Sequence, residues 1–112
     1  MRIVCGFDHA GVPLRDAVRS ALKEGGHEAL DLGATDDYPR IAQTVARAVS
    51  AGEATRGILV CGSGAGVSVA ATKVRGIRAA TVSETYTAHQ SVEHNDLNVL
   101  CMGARVLGPE LA

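Results

Sequence analysis

Tryptophan is absent from this chain of 112 residues, and aromatic residues make up only 3% of it. So few rings give no stacking platform for bases, the usual means of holding single-stranded nucleic acid. An excess of one charge is lacking too: 11 Lys and Arg face 12 Asp and Glu, for a formal net charge of −1. Neither nucleic acid nor an anionic membrane is therefore an expected partner. No apolar run approaches the roughly 18 residues of a membrane span. Arg2 interrupts the first apolar stretch too early for a secretory leader. The three cysteines, Cys5, Cys61 and Cys101, are odd in number and far apart. They make neither a CxxC metal pair nor a disulfide framework, and no HExxH-like spacing occurs, so no metal is expected. A soluble chain in a reducing cytoplasm is the expectation.

What is abundant is apolar residues, at 46%, and glycine, with 13. That suffices for one domain with a real core. Residues 1–7 read as a buried strand, RIVCGF carrying Cys5 as a small hydrophobe. From Val12 the period becomes helical, with Leu14, Ala17, Val18, Ala21 and Leu22 on one face and Gly25-Gly26 at the end. A strand over 28–32, a polar loop GATDDYP and a helix entered through Pro39 follow, its apolar side made by Ile41, Val45, Ala48 and Val49. Strands are then expected over 57–61, 77–82 and 98–102, with helices over 66–73 and 85–93. Repeated β-then-α order predicts right-handed crossovers and a parallel sheet covered on both faces, in one α/β domain spanning 1–112.

Ligands of such sheets collect beyond the carboxyl ends of the strands. There the sequence offers Asp8 and His9, then Asp36, Asp37 and Tyr38, then Cys61-Gly62-Ser63-Gly64-Ala65-Gly66, and finally Gly103-Ala104-Arg105. Glycines at 62, 64 and 66 let successive N–H groups converge at a helix N-terminus, a nest that stabilises an anion. The spacing is neither the GxGxxG dinucleotide fingerprint nor a P-loop. Beside such a nest Cys61 has its thiolate stabilised and becomes a base or nucleophile; the alternative is a buried cysteine at a strand end. Asp8 reads either as a cap of the first helix or as a site residue, and Arg105 as a partner for a phosphate or for a surface carboxylate.

Taken together, FDHAG, DYP, ILVCGSGAGVSVAATK, GIRAA, EHNDLNVL and GARVLGPELA resemble the type B ribose-5-phosphate isomerases. That family also includes galactose- and allose-6-phosphate isomerases. The resemblance runs through the whole chain in order. It implies a Rossmann-like, three-layer α/β/α sandwich on a five-stranded parallel sheet. It also implies a homodimer or dimer of dimers with the site between subunits, and aldose–ketose isomerisation of a sugar phosphate without metal or cofactor. On this resemblance Cys61 is the catalytic base, while Ser63 and His94 assist ring opening. Asp8, His9, Tyr38 and Asn95 contact substrate, the amides of Gly62, Gly64 and Gly66 form the anion hole, and Arg105 meets the phosphate.

Two departures stand out. Thr72 occupies the place of the family's usual asparagine before Lys73. The resemblance also implies a further C-terminal helix bearing phosphate-clamping arginines, and none lies within these residues. The expected reaction is interconversion of ribose 5-phosphate and ribulose 5-phosphate. Isomerisation of a hexose 6-phosphate or a free sugar is the enzymatic alternative, and a non-catalytic binding module is the alternative of another class.

Overall fold

The computed structural model describes residues 1–112. The chain runs β1 (Arg2–Asp8), a 3₁₀ turn (Val12–Leu14), α1 (Arg15–Glu24), β2 (Glu28–Thr35), α2 (Tyr38–Ser50), β3 (Arg56–Cys61), α3 (Ala65–Thr72), β4 (Ala79–Thr81), α4 (Thr85–Glu93) and β5 (Val99–Gly103). The five strands form one parallel sheet in the order β2-β1-β3-β5-β4. This is the expected three-layer α/β/α architecture.

Hydrophobic pattern explains the layering. The central strands β1, β3 and β5 are buried on both faces, and each reads as a near-continuous apolar run. Alternate residues of these strands feed two separate cores. Val4, Leu59, Val99 and Cys101 point to α2 and α3, where they meet Ile41, Val45 and Val67. Cys5, Phe7, Val60 and Met102 point the other way, to Leu14, Val18 and Leu22 on α1's side. With α1 on one face and α2 and α3 on the other, the connections leaving β1 and β3 diverge. The sheet therefore has its topological switch point between the carboxyl ends of β1 and β3.

Several boundaries depart from the sequence reading. Pro13 stiffens a 3₁₀ turn, so the α-helical geometry expected from Val12 begins only at Arg15. The loop expected from Gly33 is still strand: β2 continues to Thr35 through an irregularity opposite β1, with Gly33 at φ 89° in the stretch that carries one extra residue. β4 is only three residues long, because edge strand pairing with β5 covers just Ala79, Ala80 and Thr81.

Cys5 and Cys101 behave as the buried hydrophobes the sequence suggested. Both are fully buried, and burial pushes each thiol from the ordinary 9.0 up to about 12. Their protons are thus held in the folded state and lost more readily from the unfolded one, so folding stability is full below pH 9 and falls between pH 9 and about 12. The Cys5→Ala/Cys101→Ala double variant is expected to be less stable at neutral pH. It should lose stability less steeply than the parent over that alkaline window, as read from thermal melts across pH.

Candidate active site

The cavity at the switch point has a volume of about 480 Å³. Its walls are Asp8, His9 and Ala10 from the end of β1, Tyr38 from the start of α2, Cys61, Gly62, Ser63 and Gly66 around the end of β3, and Arg105 and Val106 beyond β5. Four separate loops reach this place because parallel strands β1, β2, β3 and β5 all end on the same edge.

The loop after β3 is held by its carbonyls, and this sets where its amides point. Ala104 N–H donates to the Cys61 carbonyl at 2.8 Å and Arg105 N–H to the Gly62 carbonyl at 3.0 Å. The Thr81 hydroxyl donates to the Gly64 carbonyl at 2.8 Å. On the opposite side of the loop, Gly64 N–H donates to Cys61 Sγ at 3.1 Å, and Ala65 N–H donates to Ser63 Oγ at 3.2 Å. Gly64 adopts φ 84°, the left-handed conformation that a side chain resists. A β-carbon there would also lie 2.7 Å from Thr81 Cγ2 and 3.0 Å from the Met102 carbonyl carbon.

Gly64 is the N-cap of α3 and supplies no side-chain cap, whereas Asp37 caps α2 and Glu84 caps α4 through their carboxylates. The hydrogen bonds from Thr87 hold the Glu84 carboxyl below its ordinary range. The helix that starts beside Cys61 is thus the one of these three without a carboxylate on its positive end, where Ser63 Oγ takes the Ala65 amide.

The remaining expectations divide. Asp8 does not cap the first helix: its Oδ1 accepts from Gly11 N–H at 2.8 Å, and Gly11 takes the N-cap position of the 3₁₀ turn. This tight turn buries the carboxylate at the pocket and swings His9 to the rim, where Nδ1 lies 3.6 Å from Asp36 Oδ1. Arg105 makes no ion pair with any carboxylate, and its side chain passes beside Gly62, where a β-carbon would lie 3.6 Å from Nη1. Thr72 spends its hydroxyl on the Ser68 carbonyl of its own helix. Ala10, Thr81 and Val106 are site contributors that the sequence did not single out. Thr81 carries no motif, and only the pairing of β4 with β5 brings it under Gly64.

His94 and Asn95 are not brought to the pocket. His94 is the C-cap of α4, and Asn95 follows it into the turn that enters the amino end of β5. Arg78 fixes that turn from the amino end of β4, its Nη2 3.3 Å from Asp96 Oδ2 and its Nε donating to the Asp96 carbonyl at 2.6 Å. Because β5 is parallel to β3, this turn is at the opposite edge of the sheet from Cys61.

A parallel sheet with a cysteine and a glycine-rich helix start lining a cavity at its switch point has the architecture of α/β proteins that bind small ligands beyond their strand ends. The Ribose/Galactose Isomerase family matches residues 3–112. Ribose-5-phosphate isomerase B of Escherichia coli is 48% identical over 115 residues, covering 99% of this chain and 77% of that protein. D-erythrulose-4-phosphate isomerase 2 of Mycolicibacterium smegmatis is 44% identical over 119 residues, covering all of this chain and 78% of that one. Among solved structures, the ribose-5-phosphate isomerase B of Clostridium thermocellum superposes with a TM-score of 0.94 at 46% identity, covering 99% of this chain and 78% of that chain. The chain belongs to the ribose/galactose isomerase family and is an enzyme of the sugar-phosphate isomerase class.

The Gly64→Ala variant tests the loop. Forced φ and a 2.7 Å contact predict a loss of about 1–3 kcal/mol in urea unfolding. A variant as stable as the parent would show that the loop tolerates another path.

Proposed function

We propose that this enzyme interconverts ribose 5-phosphate and ribulose 5-phosphate through an enediolate, with Cys61 moving the proton. The observation that carries the reading is the Gly64 N–H donated to Cys61 Sγ at 3.1 Å on the wall of the switch-point cavity. The sulfur thus sits where a backbone donor and the start of α3 converge on the cavity wall.

The thiolate takes the proton from C2 of the open-chain aldose. The C2–H electron pair becomes the C1–C2 double bond, and the carbonyl pair moves onto O1 as enediolate charge. Return of the proton to C1, with the O2 proton passing to O1, gives the ketose. One base serves both carbons because they are adjacent. With the Gly64 amide held on Cys61 Sγ, the amides of Gly62 and Gly66 on either side of it oppose the developing oxyanion without reorganising, and each such donor is worth about 3 kcal/mol in comparable sites. In this reading Asp8, His9 and Tyr38 bind sugar hydroxyls, Ser63 assists ring opening, and Arg105 faces the phosphate. The reading requires a reduced thiol, which fits a cytoplasmic setting.

His94 and Asn95 complete the site only from a second copy of the chain. Their place at the opposite edge of the sheet removes them from their own Cys61, so the reading includes a homodimer, or a dimer of dimers, with the ring-opening histidine supplied in trans.

Replacing Cys61 by alanine is expected to lower isomerisation and solvent exchange of the C2 proton together, by about 10²-fold or more. Undiminished exchange would remove Cys61 as the base. Mixing inactive Cys61→Ala and His94→Ala chains is expected to restore activity to about a quarter of the parent level, since half the dimers are hybrids with one of two sites intact. No recovery would place both residues in one chain's site or exclude His94. Rates on ribose 5-phosphate, allose 6-phosphate, galactose 6-phosphate and the free sugars decide the substrate. Faster turnover of a hexose phosphate or a free sugar would displace the pentose assignment. Absence of all turnover, with no binding of a hydroxamate mimic of the enediolate, would favour the non-catalytic module.

A further inference from the structure

A second cavity, of about 380 Å³, adjoins the active-site cavity in the groove between α2 and α3. The two cavities share only Tyr38 and Gly66 in their linings. Gly66 lies in the first turn of α3, and its missing side chain is where the ring of Tyr38 rests. A β-carbon at Gly66 would stand 2.7 Å from Tyr38 Cε1, 3.1 Å from Cδ1 and 3.2 Å from Cζ.

The backbone of Tyr38 is equally fixed. It opens α2 beside Pro39, and the cap made by Asp37 Oδ1 accepting Arg40 N–H at 3.2 Å sets its direction. The Thr35 hydroxyl accepts from Asp37 N–H at 3.2 Å one step earlier. Tyr38 is nonetheless 42% exposed, and Gly66 is the backbone on which its ring rests.

From this geometry we infer that Tyr38, seated on Gly66, is the wall that limits the length of substrate the pocket accepts. The ring separates the space beside Cys61 from the groove beyond it, whose lining includes Gln43 and Lys73. With the ring in place the pocket ends at Tyr38 and suits a four- or five-carbon sugar phosphate. With the ring displaced the two cavities join, and a six-carbon chain gains room. The glycine of the anion loop at position 66 therefore has a specificity role through Tyr38, besides the amide it contributes.

The substrate-length claim rests on the isomerase reading, while the wall itself does not, and two measurements separate them. The first needs no turnover. Cys61 lines the pocket while Cys5 and Cys101 are fully buried, so alkylation of the folded protein reports Cys61. The ratio of rates for iodoacetamide and N-benzyliodoacetamide, which share a reactive group and differ in bulk, measures the room beside it. In Tyr38→Ala and Gly66→Ala the bulky reagent should gain about tenfold or more on the small one, the size of effect that one excluded group has in a fitted pocket. Tyr38→Phe, which keeps the ring, should retain the parent ratio. The second measurement compares kcat/KM for allose 6-phosphate and ribose 5-phosphate, and the same two variants should shift it toward the hexose by a similar factor.

A parent-like alkylation ratio in Tyr38→Ala overturns the wall. A changed alkylation ratio with an unchanged hexose-to-pentose ratio overturns the substrate-length role and keeps the wall. A changed alkylation ratio in a protein that turns over neither sugar upholds the wall and removes the isomerase reading.

Discussion

The left-handed backbone of Gly64 is the constraint on which the site depends. At φ 84° it turns the chain from β3 into α3 so tightly that the residue's own amide folds back onto Cys61 Sγ at 3.1 Å. The loop carbonyls face the other way and are bonded by Ala104, Arg105 and Thr81. Those ties come from β4 and from the turn after β5, so the amide nest is built from parts of the sheet remote in sequence. Preorganised donors are effective because nothing must move when charge appears. Here the parallel sheet supplies that rigidity, and the switch point supplies the opening.

Much of this was legible in the sequence, for reasons specific to each element. The double-sided burial of β1, β3 and β5 leaves unbroken apolar runs, and the helical period of α2 is plain from Ile41 to Val49. Asp8, His9, Tyr38, Cys61, Ser63 and Arg105 were legible because a parallel sheet gathers strand ends at one edge, and the structure does place all six around one cavity. What was not legible depended on backbone detail. The cap reading of Asp8 failed because Gly11 comes close enough to take its hydrogen bond at 2.8 Å. The extension of β2 depended on Gly33 at φ 89°, which on paper is a loop signal as readily as a bulge.

His94 shows a different limit. Its neighbours in the motif EHNDLNVL identify it by resemblance, but a motif carries no direction in space. α4 returns the chain from the carboxyl edge to the amino edge, so any residue just before β5 must sit far from the strand ends. Topology alone thus parts a histidine and a cysteine that share one family pattern. If both act in one reaction, the pattern is a property of an assembly and no single chain displays it.

The two glycines either side of Ala65 make the same point at smaller scale. Both belong to one GSGAG stretch and both appear to the eye as ordinary loop flexibility. Gly64 is required by its dihedral angle: any side chain there strains the turn and strikes Thr81. Gly66 has no such angle, being an ordinary helical residue, and is required by contact with the Tyr38 ring 28 residues away in sequence. An alanine at 64 attacks the anion loop, while an alanine at 66 suits the helix itself and acts only through the aromatic wall. Position in a motif therefore does not assign a role. The dihedral angle holds one glycine in the turn that brings its amide to Cys61 Sγ, and the contact holds the other beneath the Tyr38 ring.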